Sequence, residues 1–362
     1  MTLAIISTVF SSVCMALMIV TDKHLLGQCY DNKPRQAWFI SSLAGSAFGL
    51  ILTFLMWMVV ALISPHGTLL VIFLASVDLF FWQGFIVFIA GIIGIQILFH
   101  YFNCFSEDAS SASIAAWIAA TPIFILLTFA LVGIFSYLGG FPYGVILIKS
   151  IHPVFVIGTI IATIGLIVFE YISNPNKTSE NRYKKSLFFL IIYNVIYSIL
   201  LQYILSQESQ AYSHGMYILA LLPYLWVGFA SGARDIFNKI KRVDIINNWR
   251  TNIKKYWQII LLVEVIGMFV FYFEYFGLAD LNAAYVSVIT SSHVLLVYFL
   301  DFLLIVYLAN KNKYNIKITA EQNLKVDASN LLYPVKTISK RILEVLVLMV
   351  VVIGIALATI YL

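Results

Sequence analysis

Glu264 stands in the run Trp257–Phe273, which holds no other charged side chain. A charge at the centre of a bilayer costs at least about 2.5–3.5 kcal/mol. A carboxylate kept there either binds something or is neutral and hydrogen-bonded. Glu264 could therefore hold a cationic solute, or a proton whose movement drives transport. The competing reading is a protonated side chain bonded between helices. Asp301 has the same dilemma, and its place near the end of an apolar run favours an interfacial anchor over a gate. Glu274 and Glu170 lie close to the ends of their runs, where a carboxylate reaches water.

A second set of polar groups follows helical spacing. Gln96, His100 and Asn103 fall at i, i+4 and i+7, a single stripe that lipid could not satisfy. It must face a cavity or a neighbouring helix. His293 could relay protons or be a satisfied core histidine. Trp117 lies on one face with Ser113 and Thr121. Asn194 lies with Ser198 and Gln202, beside Tyr193 and Tyr197. These aromatics could stack on a planar or cationic solute, although aromatics are 15% of the chain and most must pack or face lipid. Thr290 belongs to a hydroxyl cluster with Ser287 and Ser291, which suits close helix packing equally well. The candidate solute-binding set is Gln96, His100, Trp117, Tyr193, Asn194, Tyr197, Glu264, Thr290 and His293.

The elements that position these groups follow from composition. Hydrophobic residues make up 62% of 362 and charged residues only 11%. A soluble domain carries about 25% charged residues, so the outer surface here must be lipid. Ten apolar segments are long enough to cross a bilayer: 3–25, 36–63, 79–103, 110–137, 153–172, 186–208, 212–233, 256–277, 281–308 and 342–361. The stretch Leu69–Val77 is too short to cross, and reads as an interfacial helix or the start of the third span. Met1 and Thr2 run straight into the first apolar segment without a basic region or a cleavage site, so that segment reads as a retained span. The fold class is an all-α polytopic membrane protein.

Of the 22 Lys and Arg residues, 21 fall in the first, fifth, seventh and ninth loops, and only Lys149 falls in an even-numbered loop. By the positive-inside rule the odd loops are cytoplasmic and both termini face outward. The net charge of +5 is thus a topology signal rather than a nucleic-acid signal. The same basic loops can touch anionic lipid heads.

The chain also reads as two halves, 1–173 and 174–362. At an offset of 172 residues Phe99 meets Phe271, Asp108 meets Asp280 and Ala112 meets Ala284. Each half continues into a helix of small and hydroxyl residues. Gly45–Gly49 and Gly228–Gly232 are both G-x-x-x-G, a spacing that lets backbones approach. Five spans per half would invert the second copy relative to the first, an architecture common among secondary transporters.

Asp108-Ala-Ser-Ser-Ala-Ser-Ile-Ala-Ala-Trp-Ile-Ala-Ala-Thr-Pro122 resembles the third-to-fourth helix junction of the drug/metabolite transporter (DMT) superfamily, EamA-like branch. Gly158 and Gly165, seven apart, resemble its fifth helix, and Asp22-Lys23-His24-Leu25-Leu26 is similar to one bacterial subgroup. The ninth span departs from the family, with Val294 where a proline is usual. The outward termini and the long polar segment 309–341 depart as well. The resemblance implies a central cavity lined by spans 1, 3, 4, 6, 8 and 9, a small organic solute as cargo, proton coupling or exchange as the driving force, and the bacterial inner membrane as the location.

No catalytic or metal motif is present: there is no G-x-S-x-G, H-E-x-x-H, Walker loop or cysteine pair. Cys14, Cys29 and Cys104 are scattered and have no disulfide spacing. No cofactor is expected. The leading function is therefore a non-enzymatic secondary transporter. The alternatives are an integral-membrane enzyme for lipid-linked substrates, which would need polar residues clustered at one interface, and a non-transporting scaffold.

Overall fold

The computed structural model describes residues 2–30, 33–64, 67–106, 111–139, 151–173, 182–206, 213–237, 242–243, 246–247, 254–300, 303 and 338–360. No strand occurs among them. Twelve α-helices are described: α1 (Thr2–Cys29), α2 (Pro34–Ile63), α3 (Thr68–Trp82), α4 (Gly84–Ser106), α5 (Ser111–Ala119), α6 (Thr121–Gly139), α7 (Pro153–Ser173), α8 (Arg182–Ser206), α9 (His214–Phe229), α10 (Lys254–Asp280), α11 (Ala283–Thr290) and α12 (Ile338–Thr359). A 3-10 turn, Ala230–Phe237, continues α9, and a helical run over 293–300 continues α11.

Among the described residues nine segments are long and apolar enough to cross a membrane, with α5–α6 and α11–300 each counting as one. The chain is thus a multi-pass, all-α membrane protein. The count from sequence was ten. The remaining segment, 153–172, is helical as α7 and apolar over Pro153–Phe169 among the described residues. Leu69–Val77 belongs to the separate helix α3, whose chain turns at Gln83 before α4 begins. Asp301 and residues 309–337 lie outside the described residues.

The outer surface is apolar to a degree water would not tolerate. Leu62 is 84% exposed, Ile63 79%, Phe81 74% and Phe85 73%. Patches of this kind are stable only against lipid or a partner.

Inside, helices meet where side chains are small. α7 packs along α12, and α1 along α10, while α4 packs on both α8 and α9. At the α7–α12 crossing Gly158 faces the backbone of Ala358, and Gly354 faces that of Ala162. Two small-x-x-x-small faces thus lock antiparallel, bringing backbones into direct contact. Gly91 of α4 meets Gly228 of α9 in the same way. The other glycines of the two G-x-x-x-G motifs make room for side chains instead. Gly45 faces the Glu264 carboxylate, Gly49 faces the Trp226 indole, and Gly232 faces Ser42.

Pro223 lies inside α9 and offers no N–H to the carbonyl one turn back. That carbonyl belongs to Leu219, and the Trp57 indole N–H of α2 donates to it at 3.0 Å. In lipid an orphaned backbone group has no water to turn to, so Trp57 supplies the bond that proline removed.

Candidate functional site

The fourth span breaks at Ala120, and its second part, α6, begins at Thr121. Pro122 supplies no amide proton, and the Ile123 N–H bonds to Ala120 rather than to Ala119. The Ala119 carbonyl is thereby released from the helix. Ser291 of the other half donates its hydroxyl to that carbonyl at 2.9 Å, sharing its one proton with Ser287 O at 2.7 Å.

The ninth span breaks at Ser291–Ser292, the positions 172 residues further on. It has no proline there. The Val294 and Leu295 amides bond to Ser291 and Ser292, which frees the Thr290 carbonyl. Two side chains fill it: Ser12 Oγ of α1 at 3.2 Å and His293 Nδ1 at 2.6 Å. Ser12 Oγ also pairs with Ser292 Oγ at 2.8 Å. The fourth-span break has a matching visitor, as Asn194 Nδ2 of α8 donates to Thr121 Oγ1 at 3.1 Å.

Beside the two breaks is a cavity of about 90 Å³. α1, α4, α5, α8, α10 and the ninth span all contribute to its wall. They belong to the first, third, fourth, sixth, eighth and ninth of the apolar segments read from the sequence. The wall is mostly apolar, and its ionisable lining residues are Glu274, His293 and the tyrosines Tyr101 and Tyr197. The Tyr197 hydroxyl is hydrogen-bonded to that of Tyr275, which fixes one aromatic plane of the wall. His293 Nδ1 carries the proton it gives to Thr290, since a carbonyl can only accept. Its Nε2 is buried without a partner of hydrogen-bonding geometry among the described residues, with the Ala115 backbone adjacent. Such a group is costly unless it has a second role.

Four of the nine candidate residues line this cavity: Asn194, Tyr197, Thr290 and His293. The other five lie elsewhere. His100 packs its ring against Phe189 at 5.2 Å and Tyr193 at 5.7 Å between centroids, so this part of the Gln96 stripe is a seam between α4 and α8. Trp117 faces the outer side of the α6–α8 seam. Glu264 lies between α10 and α2, bonded to Ser41 and packed on Gly45, with Asp22 of α1 close enough to interact.

Two further carboxylates belong to this region. Glu274 lies on the cavity wall. Asp22 is 5% exposed and accepts from the Tyr101 hydroxyl at 3.2 Å. No group of three metal-ligating side chains occurs among the described residues.

No family model matches the chain, and no curated protein matches it either.

Proposed function

We propose that this chain is a secondary transporter of the drug/metabolite transporter type, moving a small organic solute by alternating access through the central cavity. The observation that carries this reading is the pair of broken spans beside one cavity. Spans 4 and 9 break 172 residues apart, their freed carbonyls are held by side chains of other spans, and Ser291 meets Ala119 where the two breaks touch. Discontinuous helices at a midplane site are how several transporter folds pair backbone polarity with a solute.

The helix pairing supports two inverted five-span halves, 1–173 and 174–362. Exchanging the halves turns the α1–α10 pair into α8–α4, and both are extensive. It turns α4–α9 into α10–α2, and returns α7–α12 and α2–α9 to themselves. This symmetry needs α7 to act as the tenth crossing. It also agrees with the distribution of basic loops, which assigns the odd loops to the cytoplasm. Cysteine labelling of loop 233–256 from the outside of intact cells would overturn that orientation.

Within the cavity we assign the roles as follows. Glu274 supplies the charge that a cationic solute or coupling proton meets. Tyr197 and Phe271 offer ring faces, and Asn194 and Thr290 orient polar groups. Glu264 acts from outside the cavity, coupling α10 to α2 as the halves rock. Flux in proteoliposomes across a solute library tests the reading, and saturable, solute-specific flux is the expected outcome. An enzyme for lipid-linked substrates is disfavoured because the polar groups line a shared interior instead of one interface.

A further inference from the structure

The outer side of the α6–α8 seam carries a long groove of about 660 Å³, distinct from the central cavity. On α8 its wall runs from Lys184 through Leu187, Ile191 and Val195 to Ile199, steps of three and four residues that form one unbroken helical stripe. Fifteen residues of helix rise about 22 Å, which exceeds half of the ~30 Å hydrocarbon core. The groove therefore covers the depth of one leaflet. Its side chains open outward: Phe188 is 61% exposed, Leu131 56% and Ile196 41%.

Three polar side chains interrupt this apolar strip: Thr128, whose hydroxyl donates to Phe124 O at 2.8 Å, and, toward the end where α8 begins, Lys184 and Trp117. Lys184 is exposed at the mouth, next to Lys185 and Arg182 in sequence. Trp117, further in, has a buried indole N–H with no hydrogen-bond partner among the described residues. An indole N–H can only donate, so its missing partner is an acceptor.

We propose that the groove binds one anionic phospholipid of the leaflet on the basic-loop side. Its phosphate pairs with Lys184, a glycerol ester carbonyl accepts from Trp117 Nε1, and an acyl chain lies along Leu187, Ile191, Val195 and Ile199. A helix of a second copy would satisfy the apolar strip but would leave Lys184 and the indole N–H without acceptors. The Asn194–Thr121 bond closes the seam behind the lipid, so the lipid also braces the wall that carries Asn194.

The test is native mass spectrometry of the full chain, delipidated and then offered phosphatidylglycerol or phosphatidylcholine at equal concentration. A basic residue at the surface contributes about a fivefold preference for an anionic lipid. Wild type should therefore retain phosphatidylglycerol at least about fivefold better. Lys184→Gln should bind both lipids equally, and Ile196→Trp, which fills the groove from an exposed position, should bind neither. Trp117→Phe should weaken both. Thermal unfolding of each variant controls for folding, and glycerol phosphate without acyl chains should not compete. Equal retention of the two lipids by wild type would overturn the proposal. So would unchanged preference in Lys184→Gln, full binding by Ile196→Trp, or disulfide crosslinking of two copies through a cysteine at 196.

Discussion

Ser291 Oγ lies 2.9 Å from the carbonyl oxygen of Ala119, and the two residues are 172 positions apart, the offset at which the two halves of the sequence align. In the proposed repeat each is the counterpart of the other, and their contact joins the two helix breaks. Both halves meet here through a backbone group that its own helix has released. Ser291→Ala removes the donor and leaves that carbonyl orphaned in a dry interior. Hydrogen bonds between membrane helices contribute about 0.6 kcal/mol on average and up to about 1.7. Unfolding in mixed detergent should show a loss in this range, and Ser291→Thr should recover most of it. No change on Ser291→Ala would mean that the proton stays on Ser287 O.

The glycines separate into classes with different costs. At Gly158 an added methyl would meet the backbone of α12, which cannot move alone. At Gly267 its nearest neighbour would be Met18 Sδ at 3.6 Å, an ordinary contact. Gly158→Ala should destabilise by about 1–3 kcal/mol, the cost of overpacking. Gly267→Ala should be neutral or slightly stabilising, because helix propensity favours alanine. Comparing the two unfolding midpoints tests whether α7 and α12 pack through their backbones.

Trp57 and Pro223 should be energetically coupled. Trp57→Phe keeps the ring but orphans the Leu219 carbonyl, at a cost of about 1–3 kcal/mol. Pro223→Ala restores an N–H to that carbonyl. In the Pro223→Ala background the same Trp57→Phe change should cost less by about 1 kcal/mol or more. Equal costs in both backgrounds would remove the compensating role given to Trp57.

The sequence carries the fold and the site unevenly, for physical reasons. Hydrophobic run length marks spans because lipid demands it, so the helices appear near their expected bounds. The break in the fourth span was legible in Pro122. The break in the ninth was not, because Val294 is compatible with a helix and the bonds that hold the break open come from Ser12, distant in sequence, and from His293, whose partner the sequence does not give. Glu274, near a helix end, reads from sequence as a carboxylate that reaches water, and its place on a cavity wall shared with Tyr197 and His293 comes from the tertiary fold. Glu264 was the most conspicuous charge, yet its neighbours Gly45 and Ser41 make it a helix contact. Periodicity gives the face of a helix, but which neighbour that face meets is a tertiary fact.

The central claim is that solute passes through the cavity at the two breaks. The most direct measurement is solute uptake and counterflow in proteoliposomes, comparing wild type with Met18→Trp, Glu274→Gln and Glu264→Gln. Met18 lines the cavity, so its replacement by tryptophan should fill the path and reduce flux at least about tenfold with folding intact. Glu274→Gln should abolish flux of cationic solutes or its dependence on a proton gradient. Glu264→Gln, which keeps the bond to Ser41, should leave solute binding intact and change the coupling. Flux that survives Met18→Trp at the wild-type rate, or no solute-specific flux in wild type across the library, would contradict the account.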